Sequence, residues 1–242
     1  MKISVIGATG LIGAKVVDLL NNAGHDVVAA SRQSGADVLT AEGLAEALTG
    51  ADALVDLTNS PSFDDGPVMD FFTRSSANLV AAAQESGVGL YVALSIVGVD
   101  GLPESGYMRA KVAQEKTIAE SGLPYSIVRA TQFQEFATAI VGSLDTGDEV
   151  RVPDALIQPI AADDVAAEVA RVAVAAPLNG VVNIGGPDKI SFADLAGAVL
   201  AKQGSDKAVV VDPTATYFGT PVAETSLITA DGAVLGSIRF AD

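Results

Sequence analysis

Near its start the chain carries a short apolar strand signal, Lys2–Ile6, that runs directly into Gly7-Ala8-Thr9-Gly10-Leu11-Ile12-Gly13 and from there into a helical pattern. Three glycines spaced three apart at a strand-to-helix junction restrict the fold sharply. The first, Gly7, permits the tight turn. Gly10 lets a ligand come against the backbone, and Gly13 lets the helix lie close on the strand. A helix that starts inside such a turn presents free N–H groups and the positive end of its dipole, which suits a pyrophosphate. Thr9, Leu11 and Ile12 share the turn and join the three glycines as candidate dinucleotide contacts. Glycines alone would be weak ground; their place between strand and helix gives them weight.

The rest of the first half alternates in the same way. Leu11–Ala23 has helical spacing at Leu11, Val16, Leu19 and Leu20, with Gly24 where a helix-ending glycine belongs. Asp26–Ser31 reads as a second strand, Ala36–Leu39 as a third, and Ala41–Leu48 as a helix. Ala53–Thr58 and Leu90–Ser95 follow as strands around a long helix, Val68–Glu85. Asp64-Asp65-Gly66-Pro67 is a turn that leads into it. Gly106–Glu120 is helical and Tyr125–Arg129 is another strand. Apolar strands separated by amphipathic helices mean a parallel sheet covered on both faces, an α/β doubly wound (Rossmann) fold. After Thr131 the rhythm weakens. Helices over Asp163–Ala175 and Phe192–Gln203, with strand pieces at Val150–Val152, Val181–Ile184 and Ala208–Val211, predict a small C-terminal α/β substrate lobe. The expected division is residues 1–131 for the dinucleotide-binding core and 132–242 for the substrate side. Asp163-Asp164 reads as a helix cap and first turn rather than a catalytic carboxylate pair. Phe136 reads as core.

Composition excludes several chemistries. The chain has no cysteine and one histidine, so neither thiolate nor multi-histidine metal sites are expected, and no metal is assigned. His25 lies between a helix-ending glycine and a strand and is not read as catalytic. A formal net charge of −16 with only 14 scattered basic residues argues against nucleic acid as a partner. No uncharged apolar run is long enough for a membrane span, and no signal-peptide pattern precedes the first strand, so the expectation is a soluble, cytoplasmic protein without a membrane partner. A small-molecule substrate is expected. A homodimer is compatible with the sequence, since such folds commonly pair through helices on the sheet faces.

The end of the second strand bears on the choice of nicotinamide cofactor. A carboxylate there would bind the ribose 2′-hydroxyl, whereas an arginine accommodates a 2′-phosphate. Here the strand ends in Ser31-Arg32-Gln33-Ser34 with no carboxylate. Arg32 can stack on adenine and pair with the phosphate, and Ser31 and Ser34 can donate hydrogen bonds. NADP(H) is therefore expected in preference to NAD(H).

Tyr107 and Lys111 open the helix after the strand at Leu90–Ser95, and residues four apart share a helix face. A phenol titrates near 10, and a neighbouring ammonium favours its ionised form. The pair suits a general acid that protonates a carbonyl oxygen as hydride arrives, and Lys111 can also hold the nicotinamide ribose.

With the glycine turn and Tyr107-x-x-x-Lys111 in order, the chain resembles the short-chain dehydrogenase/reductase superfamily. Thr58-Asn59-Ser60-Pro61-Ser62-Phe63, Leu94 to Asp100, Tyr107 through Glu115, and Gln158 to Val165 look like its atypical, NmrA-like branch. The resemblance spans essentially the whole chain. It implies that Thr58 and Asn59 lie along the cofactor, that Ser95 is the hydroxyl orienting a substrate carbonyl, and that Arg129 to Phe133 border the nicotinamide. Taken alone, Ser95 is equally a residue that caps a strand end. The function expected is an NADPH-dependent reductase acting on a small carbonyl or quinone. The alternative is a non-catalytic, dinucleotide-sensing NmrA-like regulator that works through a protein partner. A nucleotide-sugar epimerase or dehydratase ranks last, because the C-terminal portion is short.

Overall fold

The computed structural model describes residues 1–240 of the 242. Its elements run β1 (Lys2–Ile6), α1 (Leu11–Asn22), β2 (Asp26–Ala30), α2 (Leu44–Leu48), β3 (Ala53–Asp56), α3 (Asp65–Ser86), β4 (Leu90–Ile96), α4 (Gly106–Ala119) and β5 (Tyr125–Ala130). They continue with α5 (Ala137–Gly142), β6 (Glu149–Val152), β7 (Leu156–Ile157), α6 (Ala162–Ala173), β8 (Gly180–Gly185), β9 (Ile190–Ser191), α7 (Phe192–Gln203), β10 (Ala208–Val211) and β11 (Val234–Leu235). The central sheet is seven-stranded, in the order β11-β8-β5-β4-β3-β1-β2, and every pairing in it is parallel. The strand order reverses around β1, so the carboxyl ends of β1 and β3 open a crevice between them. That is where doubly wound sheets bind ligands.

Each face of the sheet has its own apolar layer. Leu54, Tyr91 and Ala93 pack with Phe72, Leu79 and Ala83 of α3 and with Ala110 and Ile118 of α4. On the opposite face, Ile3, Val5, Val55 and Val92 meet Ile12, Val16 and Leu20 of α1 and Val165, Val169 and Val172 of α6. The period of four in α1 and α6 puts those side chains on one stripe per helix. A third apolar cluster joins α5 and α7 to Val99 and Leu102 of the β4–α4 connection and to Met108 of α4, beside the carboxyl end of β4. No described helix is long and apolar enough to cross a membrane.

Several sequence expectations need correction. Ala36–Leu39 is not a strand. Asp37 accepts the N–H groups of Leu39 and Thr40, forming a turn, while Asn78 and Arg74 of α3 donate to the carbonyls of Val38 and Leu39. Side chains thus take the carbonyls that a strand ladder would have used, and β2 remains the sheet edge. Val181–Ile184 and the helix after Asp163 were expected in the C-terminal lobe, yet β8 extends the central sheet beside β5 and α6 covers its α1 face. Local patterning identifies a strand but not its partner. The cap of α6 is Ala161 and not an aspartate. Asp163 and Asp164 lie in its first turn, where Asp163 pairs with Lys15 and Asp164 accepts N–H groups from Ser237 and Ile238. Phe136 is 50% exposed, stacked on Phe133 rather than buried.

The close approach of α1 to its turn is a tight constraint on the fold. A Cβ on Gly13 would sit 2.1 Å from the Gly7 carbonyl oxygen and 2.9 Å from Ala8 Cα, both backbone atoms. We expect Gly13→Ala to cost about 2–3 kcal/mol through forced displacement of that turn. Gly24→Ala, at φ +82° with nothing within 4 Å, should cost only about 1 kcal/mol from backbone strain. Urea unfolding of the two variants checks this; equal losses would mean that the close approach carries no energy.

Candidate active site

The crevice between β1 and β3 is a cleft of about 290 Å³. Gly7, Thr9 and Gly10 line it from the turn, Ser31 and Arg32 from the end of β2, and Leu57, Thr58 and Asn59 from the end of β3. Its far end is formed by Asp37, Val38 and Leu39. The turn itself is anchored by the N–H groups of Gly7 and Ala8, both donating to Ala30 O. Gly7 holds φ +84°, and a Cβ there would lie 2.7 Å from Leu57 O, so β1 and β3 approach through this glycine. Gly10 differs: a Cβ would meet only Gly7 O, at 3.3 Å, which leaves its outer side open to a ligand. Gly10 also begins α1 with no side-chain cap, and the first turn holds no acidic residue. The N–H groups of that turn, including those of Leu11 and Ile12, have no helical partner. These features fit a dinucleotide pyrophosphate.

Arg32 is exposed on the cleft rim and, among the described residues, makes no ion pair. Ser31 also lines the cleft. Ser34 does not, since its hydroxyl both accepts from Ser31 N–H and donates to Ser31 O in a closed capping pair. The Asp37 carboxylate, likewise at the rim, is taken up by the two N–H groups of its own turn.

Asn59 connects this cleft to α4. The Tyr107 hydroxyl donates to Asn59 Oδ1 at 2.9 Å. Around its ring are Phe63 at 5.3 Å and Phe72 at 5.9 Å between centroids. Burial pushes the Tyr107 phenol up to about 12, and the Asn59 contact offsets only part of this. The expectation that Lys111 lowers it does not hold in this geometry. Lys111 is 3% exposed, and its ammonium turns into the protein: it donates to Leu94 O at 2.9 Å and to Gln114 Oε1, and lies 4.6 Å from the centre of the Phe72 ring. Burial lowers the Lys111 amine to about 8 despite the opposing charges of Asp56 and Glu115. An ammonium has three donors, and the protein uses two of them.

Behind Lys111 lies a polar chain that sequence reasoning missed. Gln114 Nε2 donates to Asp56 Oδ2 at 2.9 Å, and the same carboxylate accepts from Tyr91 Oη, Thr58 N and Thr58 Oγ1. Thr58 lines the cleft with its hydroxyl already bound to Asp56. Two signals were available: an acid closing the otherwise apolar Ala53-Leu54-Val55-Asp56, and Gln114 three residues beyond Lys111 on one helix face.

Ser95 is buried, on the same sheet face as Tyr91 and Ala93, the face covered by α3 and α4. Its Oγ has no hydrogen-bond partner among the described residues, and neither do Thr131 Oγ1 and both amide atoms of Gln132. These orphans sit at the adjacent carboxyl ends of β4 and β5, where Ser95 is in register with Arg129. Leaving such atoms unpaired costs about 1–3 kcal/mol each, which a bound molecule could offset. Arg129 is occupied elsewhere. Its guanidinium grips Glu115 through two nitrogens, with Nε at 2.9 Å, and Asp100 through a third at 2.6 Å, fastening α4 to β5.

The sequence profile of a family described as NAD(P)H-binding matches residues 7–176. The chain belongs to this NAD(P)H-binding family. Among curated proteins it is similar to the photosystem II assembly factor Ycf39 of Synechocystis sp., 26% identical over 149 residues, covering 56% of this chain and 46% of that one. The chain therefore spans about half the length of that relative. Among solved structures, MoeE5 in complex with UDP-glucose and NAD superposes with a TM-score of 0.68 at 21% identity, covering 88% of this chain and 85% of that chain. A dTDP-4-dehydrorhamnose reductase from Bacillus anthracis in complex with NADP gives 0.67 at 16% identity, with 88% and 85% covered. The doubly wound fold read from the sequence is thus shared with solved NAD- and NADP-bound proteins.

As an NAD(P)H-binding chain, the protein places its glycine turn, Arg32, Thr58 and Asn59 on one cleft and brings Tyr107 to its edge through Asn59. The lowered affinity of Lys111 for its proton makes a signed prediction. The folded amine titrates near 8 and the unfolded one near 10.5. Between those values the unfolded chain binds the extra proton, so stability rises with pH across the window. Relative to Lys111→Met, the native chain should gain about 2 kcal/mol between about pH 7 and about pH 9.5. Denaturant titrations at the two pH values measure it; a pH-independent difference would contradict the buried amine.

Proposed function

We propose that the protein is an NADPH-dependent reductase that transfers hydride to a small carbonyl or quinone, with Tyr107 as proton donor. The observation that carries this reading is the Tyr107 hydroxyl, hydrogen-bonded to a cleft residue and kept protonated by burial. When bound, NADPH supplies the hydride from its nicotinamide ring. The acceptor carbon would gain that hydride as its C=O π bond became a C–O single bond, and the oxygen would take the Tyr107 proton, leaving a phenolate that takes a proton back from solvent. A neutral phenol is the form that can donate, and its O–H would turn from Asn59 Oδ1 to the acceptor oxygen. Leu94 O and Gln114 Oε1 hold two of the Lys111 N–H groups inside the protein, and the third would be the one to meet a ribose hydroxyl. Ser95, with its unpartnered hydroxyl, would hold the same acceptor oxygen.

The preference for NADPH rests on Arg32, a rim cation without an ion-pair partner among the described residues, where the carboxylate that lines the cleft, Asp37, is engaged by backbone. The 2′-phosphate would pair with that guanidinium. Arg32→Gln should weaken NADPH binding about 10- to 100-fold, the loss of a charge-assisted hydrogen bond or two, with NADH binding nearly unchanged. Calorimetric titration with both dinucleotides reads this, and parallel losses for the two would remove Arg32 from the 2′ site.

A second reading has two observations in its favour. The Synechocystis relative is by name an assembly factor, and Lys111 here is turned away from the Tyr107 hydroxyl. On that reading the chain senses dinucleotide and acts through a protein partner. NADPH turnover by the native chain, and its loss in Tyr107→Phe, separate the two. The reductase account expects NADPH oxidation with carbonyl acceptors to fall at least 100-fold, in the range of general acid catalysis, while NADPH affinity stays within about twofold of native. Retained turnover in Tyr107→Phe would assign the proton to another group.

A further inference from the structure

Tyr217, Phe218, Gly219 and Thr220 form a two-residue hairpin tip. Tyr217 N–H donates to Thr220 O at 2.8 Å and Thr220 N–H to Tyr217 O at 3.0 Å. Both central residues have positive φ, +46° at Phe218 and +79° at Gly219. Tips of this kind take Asn-Gly or Gly-Gly, because those residues adopt the left-handed region with little strain. A phenylalanine there is a conformational outlier. Packing compensates only in part: the ring meets Tyr217, but Phe218 stays 57% exposed. Folding alone gives no reason for an aromatic at this position, and strained residues of this sort concentrate at ligand clamps.

The location of the tip supplies a reason. The Phe218 ring stands edge-on to Tyr217 with centroids 4.9 Å apart. Tyr217 and Tyr107 pack against the same apolar cluster, together with Ile96 at the end of β4. They are close enough for the charge of one phenolate to raise the titration of the other, burial being the larger cause of the rise at Tyr217. Phe63, 65% exposed, touches the Tyr107 ring directly. Two exposed rings, from connections far apart in sequence, thus border the proposed proton donor, Phe63 directly and Phe218 through Tyr217, which shares an apolar cluster with it.

We propose that Phe218 is a specificity-determining residue that, with Phe63, stacks on a flat conjugated ring in the hydride acceptor. This rests on the reductase reading of Tyr107. The face of a phenyl ring is electron-rich, so it favours an electron-poor conjugated carbonyl ring over a saturated chain. The hairpin tip holds the ring out of the protein at the expense of its own backbone.

Phe218→Asn tests it, since asparagine suits the tip conformation but has no ring. Three measurements are made with the full chain. Without ligand, the variant should melt about 2–4 °C higher, the shift expected when roughly the strain of one such residue is relieved. With NADPH, the ratio of kcat/KM for 1,4-naphthoquinone to that for hexanal should fall about tenfold. The affinity for coumarin, a flat ring read by its own fluorescence, should fall by a similar factor. A lower melting temperature would make the ring a packing element and overturn the proposal, as would an unchanged acceptor ratio. If the native chain binds NADPH but reduces neither acceptor, the reductase reading fails on its own. Coumarin affinity then decides the grip: weaker binding by the variant supports it, and equal binding overturns it.

Discussion

Asp56 sits fully inside the protein at the carboxyl end of β3, and hydrogen bonds from three directions converge on it. Tyr91 reaches it from β4, Gln114 from α4, and Thr58 from the cleft wall, through both its N–H and its hydroxyl. A buried carboxylate would be costly without such partners. Satisfied in this way, it ties the strand that ends at the cleft to the helix that carries Tyr107 and Lys111. The charge balance runs through the same contacts. Gln114 accepts from Lys111 and donates to Asp56, so a buried cation and a buried anion are joined by one neutral amide. Removing one member would leave the others uncompensated, which is the expensive way to alter such a network.

The remaining geometry follows from that tie. With α4 fixed against β3 and β4, and fastened to β5 by the Arg129–Glu115 pair, Tyr107 is brought to Asn59 on the lip of the crevice. The glycine turn on the other side of the crevice is set independently, by the contact of Gly13 with Gly7 O and by the hydrogen bonds to Ala30. The C-terminal segment brings Tyr217 and the exposed Phe218 to the cluster on which Tyr107 rests. The glycine turn, Tyr107 and Phe218 therefore come from three separate parts of the chain.

What could be read from the sequence was what is local. The turn at Gly7 to Gly13, the rise and fall of apolar strands, and the shared face of Tyr107 and Lys111 all depend on residues within a few positions of one another. Pairings across the chain were not legible. Val181–Ile184 looked like a strand, but nothing in its pattern says that it joins β5, and Asp56 meets Gln114 across 58 residues. Ala36–Leu39 misled because its alternation serves a turn capped by Asp37 whose carbonyls are met by α3. The direction of the Lys111 side chain was equally hidden. Helical spacing put it on the Tyr107 face, but Leu94 O and Gln114 determine where the ammonium points, and burial rather than that ammonium sets the phenol. Phe136 shows the reverse error, an aromatic assigned to the core that stacks on Phe133 at the surface.

The central claim is that one cleft holds NADPH on the glycine turn and delivers its nicotinamide to Tyr107. A crystal structure of the NADPH complex tests it most directly. The account predicts the pyrophosphate against Gly10 and the first turn of α1, with the 2′-phosphate on Arg32. It also places the nicotinamide C4 so that an acceptor carbon could lie roughly 3–3.5 Å from it while its oxygen reaches the Tyr107 hydroxyl. A dinucleotide bound away from the glycine turn, or one whose nicotinamide faces away from Tyr107, would contradict it.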